Sequence, residues 1–206
     1  DALEDKGITH PFPIQALTLG PALERHDIIG QAKTGTGKTL GFGIPVLEDV
    51  IAPDEEGYED LLNPNKPQAL IILPTRELTK QVAQDLREAA KYLSTRIVEI
   101  YGGVAFEPQI EALERGADIV VGTPGRLIDL LRKGHLHLSG VENVVLDEAD
   151  EMLDLGFLPD VETLLSRVPE NRHTMLFSAT MPGPVVALAR RFMVQPTHIR
   201  AQDPDD

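Results

Sequence analysis

The chain has 206 residues and a hydrophobic share of 42%, which suits one α/β domain with a substantial core rather than two domains. Its formal net charge of −14 excludes a broad basic surface that coats nucleic acid nonspecifically, but leaves room for a local groove of cations or backbone amides. There is no cysteine, which excludes disulfides and thiolate chemistry and fits a reducing, cytoplasmic setting. No run approaches about 18 uninterrupted apolar residues, so no membrane span is expected. No signal-peptide pattern is visible, and the first residue is Asp1 rather than Met, so the reading expects a native N-terminus further upstream.

Asp1 to Lys6 reads as the last turns of a helix that stops at Gly7. Pro11 and Pro13 force an extended entry into a helix starting near Pro13, with Ile14, Leu17, Pro21 and Leu23 on its apolar side. Gln15 offers a donor and an acceptor, as an adenine edge requires, although a Gln at a helix start is more often simply solvated. The short apolar run Asp27-Ile28-Ile29-Gly30 is followed by Gln31-Ala32-Lys33-Thr34-Gly35-Thr36-Gly37-Lys38-Thr39, and then by a helix from Lys38 to about Val50.

Strand, glycine-rich turn and helix, in that order, give the 31–39 stretch its meaning. Gly35 and Gly37 carry no Cβ, so the backbone bends and approaches a ligand closely. Free N–H groups at the helix start then face an anion, and the helix dipole favours negative charge there. Lys38 reaches the β- and γ-phosphates of a nucleotide, and the Thr39 hydroxyl can hold Mg²⁺. The first glycine of the general phosphate-binding pattern is Ala32 here, so the match is to its last half. A turn that binds nothing is the bland alternative, and the Gly-Lys-Thr ending weighs against it.

Residues 53–67 are rich in Pro, Gly and acidic side chains and read as a solvated surface connector. Beyond them, apolar runs alternate with helical spacing. The runs are 69–73, 97–101, 118–122, 143–147 and 174–178, with a short one at 197–199. Helical spacing relates Leu78, Val82, Leu86, Ala90 and Leu93; Ile110 and Leu113 before Gly116; Leu127, Leu130 and Leu131 after the cap Thr123-Pro124; Val161, Leu164, Leu165 and Val168; and Val185, Leu188, Ala189 and Phe192. The alternation predicts a central parallel β-sheet with helices on both faces.

Ligands of such sheets bind at the carboxyl ends of the strands, and every unusual residue follows a strand: the 31–39 turn, Thr75-Arg76, Gly102-Gly103, Thr123 to Arg126, Asp147-Glu148 and Ser178 to Thr180. Asp147 is the expected partner of a phosphate–Mg²⁺ site, and Glu148 is placed to activate an attacking water. Taken alone, Asp147 to Glu151 reads equally well as a solvated acidic turn, and Ser178-Ala179-Thr180 as a plain turn or helix cap. Arg76 and Arg126, each preceded by a Thr at a strand-to-helix junction, form a phosphate contact set, although functionless surface arginines are the commoner case. His135 and His137 are closely spaced but have no third ligand near them in sequence, so no zinc site is read.

Taken together, these motifs resemble the N-terminal RecA-like domain, a P-loop NTPase domain, of a DEAD-box ATP-dependent RNA helicase, in family order over nearly the whole chain. Residues 7–15 resemble the adenine-reading Q motif, and Ala32 to Thr39 the phosphate loop. Pro74-Thr75-Arg76-Glu77-Leu78, Gly102-Gly103 and Thr123-Pro124-Gly125-Arg126 resemble the RNA-backbone motifs. Asp147-Glu148-Ala149-Asp150 is the name-giving motif, and Ser178-Ala179-Thr180 resembles the motif that couples hydrolysis to unwinding.

The resemblance implies a role for each residue. Gln15 binds adenine, and Ala32, Lys33, Thr34, Gly35, Thr36, Gly37, Lys38 and Thr39 wrap the phosphates of ATP. Thr39 and Asp147 hold Mg²⁺, while Lys38, Asp147 and Glu148 are catalytic, with Glu148 as the base. Thr75, Arg76, Gly103, Thr123, Gly125 and Arg126 line one RNA strand, and Asp150, Ser178 and Thr180 couple the two sites. On this reading residues 1–202 form the ATP-binding domain and 203–206 begin a linker, the domain is a monomer, and a second RecA-like domain supplies arginine fingers and half of the RNA surface. An ATP-gated RNA clamp shares every motif and is the alternative to an unwinding enzyme. Phe12 departs from the family, which usually has Ser or Thr there, so that position brings no hydroxyl to the phosphate loop. The aromatic that stacks on adenine is expected upstream of Asp1.

Overall fold

The strands expected from their apolar runs all form, and all run in the same direction. A computed structural model describes residues 20, 24–32 and 38–200. Readings placed on the other residues, among them Gln15, Phe12, the first helix and positions 33–37 of the turn, lie outside the described residues. Strands β1 (Ile28–Gln31), β2 (Ala69–Ile72), β3 (Ile97–Ile100), β4 (Ile119–Gly122), β5 (Asn143–Leu146), β6 (His173–Ser178) and β7 (Thr197–Arg200) form one parallel sheet in the order β3-β4-β2-β5-β6-β1-β7. Helices α1 (Lys38–Asp49), α2 (Arg76–Ala89), α3 (Glu107–Arg115), α4 (Pro124–Arg132), α5 (Ala149–Asp154), α6 (Leu158–Ser166) and α7 (Gly183–Phe192) connect the strands.

Because side chains alternate across a strand, each central strand feeds two cores. Ala69 and Ile71 of β2 join Phe42 and Val46 of α1 and Val82, Ala83 and Leu86 of α2 on one face. Leu70 and Ile72 join Leu113, Leu127, Met152, Val161, Leu164, Val185 and Leu188, from α3 to α7, on the other. Burying one such aliphatic side chain is worth roughly 1.5–3 kcal/mol, so the two faces together dominate stability. Two-sided burial is also the reason that β2 and β4, and β5 after Asn143, read as apolar runs.

Polar groups pin the amino-terminal edge of the sheet. Asp27 is buried, and its carboxylate accepts the backbone N–H groups of Thr174 at 2.9 Å and Val194 at 2.7 Å. The segment 53–67 is mostly exposed, as expected of a connector, and departs from expectation in its internal anchoring. It contains a 3₁₀ turn, Tyr58–Asp60, and the Tyr58 hydroxyl donates to Asn65 Oδ1 and accepts the Asn65 N–H, each at 2.9 Å. Arg96 joins the same cluster, donating to Tyr58 Oη at 2.9 Å and to both carboxylate oxygens of the fully buried Asp118. Composition registers the acidic residues of this loop and misses the single tyrosine that ties it down.

A second departure is α5, which begins inside the acidic stretch read alternatively as a turn. Its start is held from another strand, because the Asp150 N–H donates to Ser178 Oγ at 3.0 Å, at the end of β6. Sequence spacing does not display such a cap.

Gly122 closes β4 where it passes β3, and a Cβ there would lie 2.6 Å from the Ile100 carbonyl oxygen and 2.9 Å from Leu127 Cδ2. A backbone oxygen in a ladder cannot step aside cheaply. Gly122→Ala is expected to cost about 1–3 kcal/mol, read as a lower urea midpoint with an unchanged slope. An unchanged midpoint would show that the two strand ends separate freely.

Candidate active site

Strand order sorts the rim into two halves. Asp147, Ser178 and the turn into Lys38 follow β5, β6 and β1, which are neighbours in the sheet. Thr75-Arg76, Thr123 to Arg126 and Tyr101 to Gly103 follow β2, β4 and β3, which are the neighbours on the other side.

The first half centres on a buried ion cluster. Lys38, the first residue of α1, places Nζ 3.0 Å from Asp147 Oδ1 and 2.9 Å from Glu148 Oε1, and all three residues are under 9% exposed. Glu148 adopts a left-handed backbone, φ 55° and ψ 48°, which a non-glycine residue holds only where its surroundings fix it. That conformation turns its carboxylate back towards Lys38, while its N–H donates to Asp147 Oδ1 at 2.9 Å.

One lysine faces two carboxylates, so the cluster carries net negative charge. Burial alone would lower the Lys38 pKa, but Asp147 and Glu148 together hold it above the ordinary lysine value. Burial raises the Asp147 carboxyl, and the Glu148 charge adds to this, against the pull of Lys38. The oxygen donors here, the Asp147 carboxylate and the half-buried Thr39 hydroxyl one residue beyond Lys38, suit a hard divalent cation, which the unbalanced charge also favours. Ala32, at the end of β1, is buried, and its N–H donates to the Ser178 carbonyl at 3.3 Å.

Asp150 connects this cluster to the loop after β6. Its Oδ2 accepts the Thr180 hydroxyl at 2.9 Å and the Thr180 N–H at 3.1 Å. Burial would raise the Asp150 pKa, but the Thr180 and Ser178 hydrogen bonds outweigh it and hold the group below the usual carboxylate range. A depressed pKa keeps the carboxylate ionised and this contact made at neutral pH; it is lost only as pH falls through the folded value. Gln31 adds a link that the sequence reading missed, its Nε2 donating to the Ala179 carbonyl at 3.4 Å. A polar residue at the last position of a buried strand is the one signal that pointed to it.

In the second half, Thr75 caps α2 by accepting the Leu78 N–H at 3.2 Å. Arg76 is exposed and lies over the Tyr101 ring, 5.0 Å from its centroid, with Lys80 Nζ at 5.7 Å. Gly103, at φ +80°, and Gly125 are exposed. Thr123 starts α4 without a side-chain capping bond. Arg126 differs from Arg76 in being 8% exposed. It donates to Val104 O at 2.7 Å and Gln109 Oε1 at 3.2 Å, and stacks on Phe106 at 3.9 Å. Its guanidinium therefore organises the glycine loop from beneath. Tyr101, Lys80, Phe106 and Gln109 were not singled out by sequence; an aromatic beside Gly102-Gly103 was the available clue.

Removing Lys38 would leave two carboxylates buried without a cation. Lys38→Met is expected to cost about 3 kcal/mol at neutral pH, with the deficit shrinking as pH falls and the carboxylates take up protons. The raised Lys38 pKa has the opposite sense at high pH. Its contribution is complete below the ordinary lysine value of 10.5 and fades as pH rises through the folded value. Urea unfolding of both proteins at three pH values tests this; a deficit independent of pH would mean that packing, not charge, sets it.

Comparison with known proteins fits this geometry. The chain is 52% identical over 197 residues to maize "DEAD-box ATP-dependent RNA helicase 3B, chloroplastic", covering 96% of this chain and 26% of that protein. It is 47% identical over 201 residues to the Bacillus cereus "DEAD-box ATP-dependent RNA helicase CshA", covering 98% and 36%. The chain thus spans about a quarter to a third of the length of these relatives. The crystal structure of a DEAD box protein from Methanococcus jannaschii matches with a TM-score of 0.86 at 40% identity, over 98% of this chain and 52% of that one. That of the yeast splicing factor Prp28 matches at 0.88 and 34%, over 98% and 47%. The fold is the RecA-like α/β fold. The DEAD/DEAH box helicase family pattern matches residues 12–188, and the chain belongs to that family.

Proposed function

We propose that this domain is the ATP-binding half of an ATP-dependent RNA helicase. The observation that carries the reading is the cluster of Lys38, Asp147 and Glu148 at the start of α1 and the end of β5. Within it, Lys38 leaves the two carboxylates to contact the β- and γ-phosphates, and Thr39 and Asp147 hold Mg²⁺. That metal, when bound, neutralises charge on the phosphate oxygens. Freed from Lys38, the Glu148 carboxylate accepts a proton from water as the water oxygen attacks the γ-phosphorus. The bond from the γ-phosphorus to the bridging oxygen breaks, and the products are ADP and phosphate. Gln15 reads adenine, and positions 32–37 wrap the phosphates.

Thr75, Arg76, Gly103, Thr123 and Gly125 receive the backbone of one RNA strand, with Arg126 shaping the loop beneath it. Asp150, bonded to Ser178 and Thr180, reports the state of the nucleotide to the rest of the protein. A second RecA-like domain supplies the arginines that stabilise transition-state charge, worth about 10³–10⁵ in rate, so this domain alone binds nucleotide and turns it over slowly. The protein works in a reducing compartment such as the cytoplasm, in keeping with its lack of cysteine. Among the described residues no helix is long and apolar enough to cross a membrane.

ATP turnover by the two-domain protein, with and without single-stranded RNA, tests the proposal. RNA should stimulate turnover, and Glu148→Gln should lower it at least about 10²-fold while ADP affinity, followed by titration, stays close to the parent's. Turnover that ignores RNA, or that survives Glu148→Gln, would overturn it.

A further inference from the structure

The free edge of the sheet carries a groove that none of these roles uses. β3 pairs with β4 on one side only, and a cavity of about 760 Å³ runs along its other side, between β3 and α3. Arg87, Arg96, Arg115, Glu99, Tyr101 and Gln109 supply its polar and aromatic lining. Arg87 pairs with Glu99 at 2.7 Å and Arg96 with Asp118 at 3.0 Å, so Arg115 leaves this wall one net positive charge on a chain whose net charge is −14. Arg96 is held by the buried Asp118 and by Asn65 and Tyr58, so it is a structural part of the wall rather than a free cation.

An open strand edge invites an added peptide strand, but both ends of this edge are already engaged. Arg96 and Ile100 turn their carbonyls to β4, and the outward Ile97 carbonyl accepts Arg87 Nη2 at 3.1 Å. Beyond the strand, Tyr101 O accepts Gln109 Nε2 at 2.9 Å and Val104 O accepts Arg126 Nη2 at 2.7 Å. A peptide would find the acceptors at the two ends of the edge occupied. What the groove offers is the Arg115 guanidinium beside the Tyr101 face, a cation and an aromatic of the kind that tracks a single-stranded nucleic acid.

The groove is also continuous with the RNA half of the rim, because Tyr101 belongs to both. Its ring lines the cavity and lies under Arg76 and Lys80. We infer that the β3–α3 groove is an accessory RNA subsite, in which a strand leaving the rim at Tyr101 continues along the sheet edge with its phosphates facing Arg115 and competing with Glu99 for Arg87. This rests on the proposed RNA-binding reading of the rim. A four-residue strand edge is about 13 Å long, room for about two to four nucleotides depending on how they stack. Lys80 and Tyr101 mark the corner where the strand turns from one surface to the other.

The test measures RNA affinity of the two-domain protein with a non-hydrolysable ATP analogue. It compares a strand that just covers the rim with the same strand carrying about four added nucleotides on the 5′ or the 3′ side. One of the two extensions should tighten binding about fivefold or more. Arg115→Gln, at an exposed position, should cancel that gain and lower the salt slope by about 0.7 per lost phosphate contact, whereas Arg115→Lys should keep it. Arg87→Gln should act in the same direction.

Three results would overturn the inference: no gain from either extension, an equal loss on short and extended strands, or displacement of the extension by an acidic peptide that leaves the short strand bound. If the parent protein binds none of the strands, the RNA reading itself fails, and that outcome is distinct from the other three.

Discussion

A parallel sheet cannot avoid delivering every strand's carboxyl end to the same rim, and the rest of this molecule follows from that constraint. Strand order then determines which ends become neighbours. In the chain, the phosphate-type residues after β1 and β5 lie on either side of three successive backbone-type motifs; in the sheet, β5, β6 and β1 stand together, as do β3, β4 and β2. The two groups meet at the β2–β5 boundary, where the Asp147 N–H donates to the Ile72 carbonyl at 3.0 Å. This bond continues the β2–β5 pairing, which joins the strand before the acidic pair to the strand before Thr75-Arg76. Both faces of the sheet must stay buried for this arrangement to hold, and the two apolar cores between them account for nearly every large aliphatic residue of the central strands.

Charge imbalance is what makes the first half of the rim responsive. Lys38 satisfies two carboxylates at once, so an anion that draws it away leaves both without their cation, and a divalent metal is the natural replacement. Glu148 holds a strained backbone conformation two residues before Asp150. Asp150 in turn bonds the ends of β6 through Ser178 and Thr180. A change of backbone at Glu148 therefore has a short covalent and hydrogen-bonded route to the loop after β6. The route is built from one strained residue and three hydrogen bonds, and needs no large rearrangement of the core.

Periodicity made most of this fold legible. Apolar runs located the central strands because two-sided burial fills most of their positions with aliphatic side chains, and the residue types after each run located the chemistry because parallel strands end together. Other features depend on contacts between residues distant in sequence. The capping of α5 by Ser178 joins positions 28 apart, and the anchoring of the acidic loop by Tyr58, Asn65 and Arg96 links residues up to 38 apart. Arg76 and Arg126 show the limit most directly. Both follow Thr at a strand-to-helix junction, yet one is exposed over an aromatic ring and the other is buried and bonded to the loop it supports. Their difference is set by where β3 delivers Tyr101 and Phe106, which neither local sequence contains.

The net charge of −14 then loses its force as an objection to RNA contact. Exposed charges are screened beyond about 8–10 Å at ordinary ionic strength, so a strand on the rim responds to the cations beneath it and not to the chain's total. Those cations are concentrated. Arg76 and Lys80 flank Tyr101, and Arg126 and Lys133 flank Phe106, the last pair at 3.9 and 3.7 Å from the ring centroid. Aromatic rings hold the positive groups in place at low entropic cost, while the acidic residues around Tyr58 lie on a separate loop whose anchor, Arg96, precedes β3 and so sits at the opposite end of that strand from Tyr101. An acidic chain can thus carry a locally basic path, provided that the fold, and not the composition, decides where its few cations stand.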